Sequence, residues 1–290
     1  MKPFKSVLIL SVLTGLLAIV QAGVGLFYPT GGAPFPFTTL HNQVVQMNGQ
    51  GIYAYDTYFK APILRGTDAV TLFICIPLLV IALLLYHRGS LRGGLLLVGV
   101  LGFFLYISAS VVLGVAYNNL FLLYVAFFSA SLFAFILAFT TIDRQDLAAR
   151  LSTRRLPRRG IAILMFVSGA ALLAAWLGDI LGALFAGTVP DIGPYTTEVT
   201  YAFDLGIITP LAVLTGILIL RRAPIGYPLS ALMLVVLAIV GLMVASQTVF
   251  QLQAGISLTP GQFIGKAGSF MVLAIIAVWL AARLFQEIKE

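Results

Sequence analysis

Four ionisable residues stand within or at the edge of long apolar runs: Asp68, Asp179, Asp204 and Lys266. A charge at the centre of a membrane helix costs about 2.5 to 3.5 kcal/mol on insertion scales, and less toward the interface. Such side chains therefore face the bundle, one another or water. Three carboxylates and one ammonium do not pair one to one. The two left over are neutralised by Arg65, by hydrogen bonds from Gln21, Gln262, Thr67, Thr71 or Tyr201, by protonation, or by a bound cation. The chemistry on offer is ligand binding or ion coupling by Asp204, Lys266, Asp179, Asp68, Gln21 and Arg65.

Each of these residues also has a structural role open to it. Asp68 follows Arg65-Gly66-Thr67 and suits an N-terminal cap. Asp179 beside Gly178 suits a helix end near headgroups, and Asp204 with Lys266 suits a plain ion pair. Pro77 and Pro210 fall near mid-membrane just below this layer. Each removes a backbone donor and frees a carbonyl four residues earlier, at Phe73 and Gly206, which predicts a kink or a partly unwound turn.

The elements that carry these groups follow from composition. The chain has 290 residues, 60% apolar and only 9% charged, where a soluble domain of this size carries about 25% charged residues. With a mean hydropathy of +1.06, most of its surface faces lipid. Apolar runs of about 20 residues, enough for a helix to cross a hydrocarbon core of about 30 Å, recur near 6–27, 67–87, 93–116, 119–141, 161–187, 201–220, 227–248 and 262–284. Runs of this length without alternation exclude a β-barrel. The expected fold is all-α, a polytopic bundle of eight transmembrane helices. At about 1.5 Å per residue, Asp204 and Lys266 stand roughly 9 to 11 Å above the midplane, and Asp179 and Asp68 roughly 12 to 15 Å above it, with Gln21 at a similar level.

Orientation follows from the basic residues. With the N-terminus cytoplasmic, 14 of the 17 lysines and arginines fall on the inner side and only Lys60, Arg65 and Lys266 on the outer. The positive-inside rule then places both termini in the cytoplasm of a plasma-membrane protein. The net charge of +7 is a topology signal, not a nucleic-acid one. Lys2 and Lys5 ahead of an apolar run resemble a secretory signal, but the run continues through Tyr28, longer than a signal core, so the first helix is expected to be retained.

The chain divides into a first four-helix half (1–142), a basic linker (143–160) and a second four-helix half (161–290). The outer loop 29–66 is rich in aromatics, Tyr53 among them, and is expected to pack over the bundle's outer mouth or lie at the headgroups. The linker carries six arginines. Leu147 and Leu151 lie opposite Arg150, Arg154 and Arg155, which suits either a solvated connection or a short interfacial helix. The halves align without gaps at an offset of 133 residues, pairing Pro77 with Pro210, Leu85 with Leu218, Arg88 with Arg221 and Gly93 with Gly226. Four spans per half make this a parallel 4+4 repeat. Small residues at four-residue steps (Ala126, Ala130, Ala134, Ala138; Ala170, Ala174, Gly178, Gly182, Ala186; more weakly Ser11, Gly15, Ala18, Ala22) predict close helix packing.

No cofactor or metal is expected. His41 and His87 fall on opposite sides, Cys75 is the single cysteine, and no HExxH or phosphate loop occurs. The expected function is a transport or ligand-binding protein with an outward-facing polar site for a small cation, proton or zwitterionic solute. The alternatives are an accessory subunit of a membrane complex and an intramembrane enzyme acting on lipid at the outer leaflet. The expected partners are the lipid bilayer, such a solute, and membrane-complex partners.

Overall fold

The computed structural model describes residues 3–28, 31–151, 155–259, 261 and 263–290. Lys2, Pro29, Thr30, Arg154 and Gln262 lie outside the described residues, as does the Lys266 side chain. Among the described residues, eight helices are long and apolar enough to cross a membrane: α1 (Lys5–Phe27), α2 (Lys60–His87), α3 (Leu91–Gly114), α4 (Phe121–Thr140), α6 (Arg158–Ala186), α7 (Val199–Leu220), α8 (Gly226–Gln253) and α9 (Phe263–Gln286). A short α5 (Arg144–Arg150) lies between α4 and α6. The described sheet is one hairpin, β1 (Phe35–Thr38) antiparallel to β2 (Val44–Met47), in the connection after α1. In its apolar 18-residue stretch, two-thirds of α3 and of α8 is buried (67% each), against 22–39% of the same stretch in the other spans, so these two form the centre around which the rest are arranged.

The α2 start differs from the sequence expectation. Lys60 and Ala61 N–H both donate to Thr57 O, so the helix begins at Lys60 rather than near 67. Pro62 sits in its first turn, where a missing N–H breaks no intrahelical bond. Asp68 is consequently inside the helix and does not cap it.

The two prolines act on the backbone in the same way. A π-helical turn, Thr71–Cys75, precedes Pro77 in α2, and a second, Asp204–Ile208, precedes Pro210 in α7. The wider turns contain Phe73 and Gly206, whose carbonyls a proline four residues on cannot engage. After α2, Gly89 and Ser90 N–H donate to Tyr86 and Leu85 O. After α7, Arg222 and Ala223 N–H donate to Ile219 and Leu218 O, the same pair 133 residues later. Gly93 packs on Leu85 and Tyr86, and Gly226 on Leu218 and Ile219. Across the centre, Gly99 of α3 faces Val235 of α8 while Gly102 faces Leu232. A shift of 133 residues exchanges these two contacts. It likewise exchanges Gly66 against Gln247 with Gly114 against Val199.

The small-residue faces do not all behave as expected. Ser11, Gly15, Ala18 and Ala22 of α1 are buried, as are Ala130, Ala134 and Ala138 of α4, while Ala126 is exposed. The α6 row (Ala170, Ala174, Gly178, Gly182, Ala186) is exposed along its length. α6 instead meets α7 through Gly169, against Thr209 and Val213, and through Phe166, against Gly216. In α5, Asp143 caps the helix by accepting from Gln145 and Asp146 N–H, and Asp146 pairs with Arg150 at 2.8 Å. Leu147 and Leu151 are buried in the protein core, so the apolar side of this helix packs on protein rather than lipid. Nearby, Glu290 accepts from Ser90 Oγ and from Leu91 and Arg92 N–H, capping α3. Burial raises the Glu290 carboxyl, but these bonds outweigh it and hold the group below its ordinary range.

Candidate functional site

The end of the bundle opposite the arginine-rich linker carries three linked polar clusters. The first surrounds Asp68, 1% exposed and nine residues into α2. Its Oδ1 accepts from Gln21 Nε2 of α1 at 2.7 Å, and its Oδ2 from the Tyr53 hydroxyl at 2.8 Å. Gln21 Nε2 also donates to the Tyr53 oxygen at 3.2 Å, while Gln21 Oε1 is buried without a partner. The packing is tight enough to require glycine on α1: a Cβ at Gly25 would lie 1.9 Å from Asp68 Oδ2 and 2.8 Å from the Tyr53 hydroxyl. Arg65, one turn earlier, turns away. Its Nη2 donates to Leu26 O at 3.4 Å, and its guanidinium lies 5.7 Å from the Phe250 ring.

Tyr53 reaches Asp68 because the chain after β2 folds back on itself. Asn48 N–H donates to Asp56 O, Gly49 N–H to Ala54 O, and Tyr58 N–H to Gln46 O. This compact segment buries Tyr53 (2% exposed) and Asp56 (0%). Burial, with Asp68 beside it, pushes the Tyr53 phenol above its ordinary range.

Asp56 is the node of the second cluster. Its Oδ1 accepts from Ala116 N–H, between α3 and α4, at 3.0 Å and from the Tyr195 hydroxyl, between α6 and α7, at 2.6 Å. Its Oδ2 is buried without a partner. Burial pushes this carboxyl up to about 6, against the opposing pull of Tyr195, Ala116 N–H and Lys60. The Tyr195 phenol is raised in turn, by burial and by Asp56. Lys60 completes the tie: its ammonium lies 3.8 Å from the Tyr195 ring centroid and 3.4 Å from Glu198 Oε2. The Tyr58 hydroxyl donates to Ala254 O beyond α8. The segment thus packs over the mouth of the bundle, one of the two placements its aromatic content suggests.

The third cluster surrounds Asp204, 6% exposed, at the first residue of the α7 π turn. Oδ1 accepts from the Tyr106 hydroxyl of α3 at 3.0 Å, and Oδ2 from Trp176 Nε1 of α6 at 2.9 Å. The Trp176 ring packs 5.1 Å from Tyr201. Tyr201 lines an open cleft of about 470 Å³ with Asp179, Asp191, Thr188 and Gly178. Trp176 and Tyr201 therefore connect Asp204 to the cleft that holds Asp179.

Of the residues singled out in the sequence, the fold brings Asp68 together with Gln21, and Asp204 into reach of Asp179 through two aromatic rings. The two pairs share no hydrogen-bonding partner among the described residues. Lys266 lies in a third π turn, Phe263–Gly268. Sequence reasoning missed Asp56, Tyr106, Trp176 and Tyr195 as site residues and saw Tyr53 only as one loop aromatic among several. The one signal available was Trp176 on the helix that carries Asp179, one turn before it. Among the described residues no group of three His, Cys, Asp or Glu side chains could hold a metal ion. Comparisons with protein-family models, with curated proteins and with solved structures find no match to this chain.

Proposed function

We propose that this multi-pass membrane protein is a plasma-membrane transporter or ligand-binding protein whose polar end faces outward and whose acids take a proton, a small cation or the cationic part of a zwitterionic solute. One observation carries this reading. Asp68 and Asp204 are both buried within spans, and among the described residues the hydrogen bonds they accept come from neutral donors. The ion pairs among the described residues are Lys60 with Glu198, Arg92 with Glu290 and Arg150 with Asp146, and none of them serves either acid. A carboxylate in low dielectric without a counter-charge is costly, and taking up a proton or cation removes that cost. The cytoplasmic placement of both termini follows from the arginine-rich end.

The reading of the halves as a parallel repeat belongs to the same proposal. It is supported by the reciprocal contacts Gly99–Val235 with Gly102–Leu232, and Gly66–Gln247 with Gly114–Val199, as expected about an axis between α3 and α8. In each half a side chain of the first helix, Gln21 or Trp176, donates to an acid on the proline-bearing second helix. The π turns supply the local backbone freedom that a moving helix needs.

The test is transport in proteoliposomes, with internal pyranine for protons and labelled amino acids and small amines as solutes. Asp204→Asn and Lys266→Met are expected to abolish uptake of at least one probe in folded protein. Unchanged uptake of every probe in both variants overturns the reading. A second reading, an accessory subunit, is favoured by the exposed small-residue face of α6. Recovery of a stable hetero-complex in mild detergent would support it, and a lone monomer or homodimer would count against it.

A further inference from the structure

We propose that Asp68, Gln21 and Tyr53 form a dry proton-binding site, distinct from the open cleft lined by Asp179 and Tyr201, in which Asp68 takes up a proton and not a metal ion or an organic cation. This rests on the transport reading and assigns the ion for one of its two acids.

An ion needs a shell of oxygen ligands, at 2.0–2.6 Å for the small divalent cations. On the α1 side of Asp68 no such room is left: even the methyl group of an alanine at position 25 would overlap Oδ2 at 1.9 Å and Cγ at 2.7 Å. A proton needs no such volume.

A phenol both donates and accepts. The 2.8 Å contact between Tyr53 and Asp68 therefore serves both states without moving a heavy atom. Tyr53 donates to the carboxylate; on uptake its phenol proton passes to Oδ2 while a hydronium ion on the loop side gives a proton to the Tyr53 oxygen and is left as water, so the new carboxyl O–H donates to the Tyr53 oxygen and the phenol hydrogen turns away from Asp68. The charge at Asp68 goes from −1 to 0, and release returns the proton to water. Gln21 Nε2 donates to Oδ1 throughout, at 2.7 Å.

Titratable groups face Asp68 from the covering segment (Tyr53, with Asp56 farther out), from α4 (Tyr124) and from α2 itself (Arg65). α1 offers only Gln21, and α8, which packs on α2, contains no charged residue. Arg65 is the one cation among these groups and favours the charged carboxylate, but its guanidinium is engaged by Leu26 O and lies beside the Phe250 ring, so among the described residues Asp68 has no direct ion pair. Tyr53 closes the site, and Asp56, bonded to Tyr195 and Ala116, holds that closure in place.

The experiment is infrared difference spectroscopy of the full chain in nanodiscs across a pH titration. The expected result is the C=O stretch of a protonated carboxyl that disappears in Asp68→Asn and shifts in Tyr53→Phe, with its pH midpoint unaltered by sodium, calcium or tetramethylammonium chloride. The Tyr53→Phe shift is the independent readout if Asp68→Asn fails to fold. A band that neither variant alters, or one displaced by any of these cations, overturns the assignment. If that happens while Asp204→Asn still abolishes uptake, the proton site falls and the transport reading stands.

Discussion

The two halves hold an acid in the same kind of place, on a proline-bearing second helix and bonded to a side chain of the first helix, yet one acid is sealed and the other is reached from a cleft. Asp68 lies under Tyr53, whereas Asp204 lies behind Trp176 and Tyr201, which border open space. The difference originates in the connections. The chain between α1 and α2 is long enough to form a hairpin and turn a tyrosine inward, while the shorter 187–198 connection leaves the α6–α7 junction uncovered. Similar scaffolds acquire different access when a loop, not a span, changes length.

The largest expected effect tests the sealing directly. Gly25→Ala forces a methyl group into Asp68 and Tyr53 and is expected to destabilise by about 1 to 3 kcal/mol or more through overpacking. Gly178→Ala, with nothing within 4 Å of the added carbon, is expected to be neutral or to stabilise the helix by up to about 1 kcal/mol. Thermal unfolding in detergent checks both, and equal effects would remove the contrast between the halves.

The next effect concerns the tie that spans them. The Asp56 carboxyl has a folded value of about 6 against 3.8 for an ordinary aspartate, so the folded state binds this proton more tightly than the unfolded chain does. Its contribution therefore favours folding at low pH and is lost as pH rises from about 4 to 6, by up to about 3 kcal/mol. Asp56→Asn is expected to flatten that dependence in a pH series of melting temperatures. A steeper dependence in the variant would contradict the assignment.

A smaller effect is expected at the open acid. Trp176→Phe leaves Asp204 one donor short, at a cost of about 1 to 3 kcal/mol if no water replaces the bond and near the lower figure if the cleft admits one. Gln21→Leu at the sealed acid excludes water and is expected to cost more than Trp176→Phe; the reverse order would place the water on the wrong side of the comparison. The smallest effect is expected from Glu198→Gln. It removes a partly exposed ion pair with Lys60 worth about 0.2 to 1 kcal/mol, read as the change in melting temperature between low and high salt.

The spans were legible in the amino-acid sequence because the bilayer constrains each helix separately: about 20 apolar residues must bridge the core whatever their neighbours do. Pro77 and Pro210 were legible for a similar reason, since a missing N–H acts on carbonyls in its own helix. The common level expected for Asp68, Asp204 and Gln21 rests on helical rise alone. Their partners did not, because Gln21 meets Asp68 across 47 residues and Tyr106 meets Asp204 across 98, distances that only helix rotation and packing close. The early start of α2, the inward turn of Tyr53 and the outward face of the α6 small-residue row were likewise decided by tertiary contacts. Periodicity marks which residues share a face, and the neighbouring elements determine what that face meets.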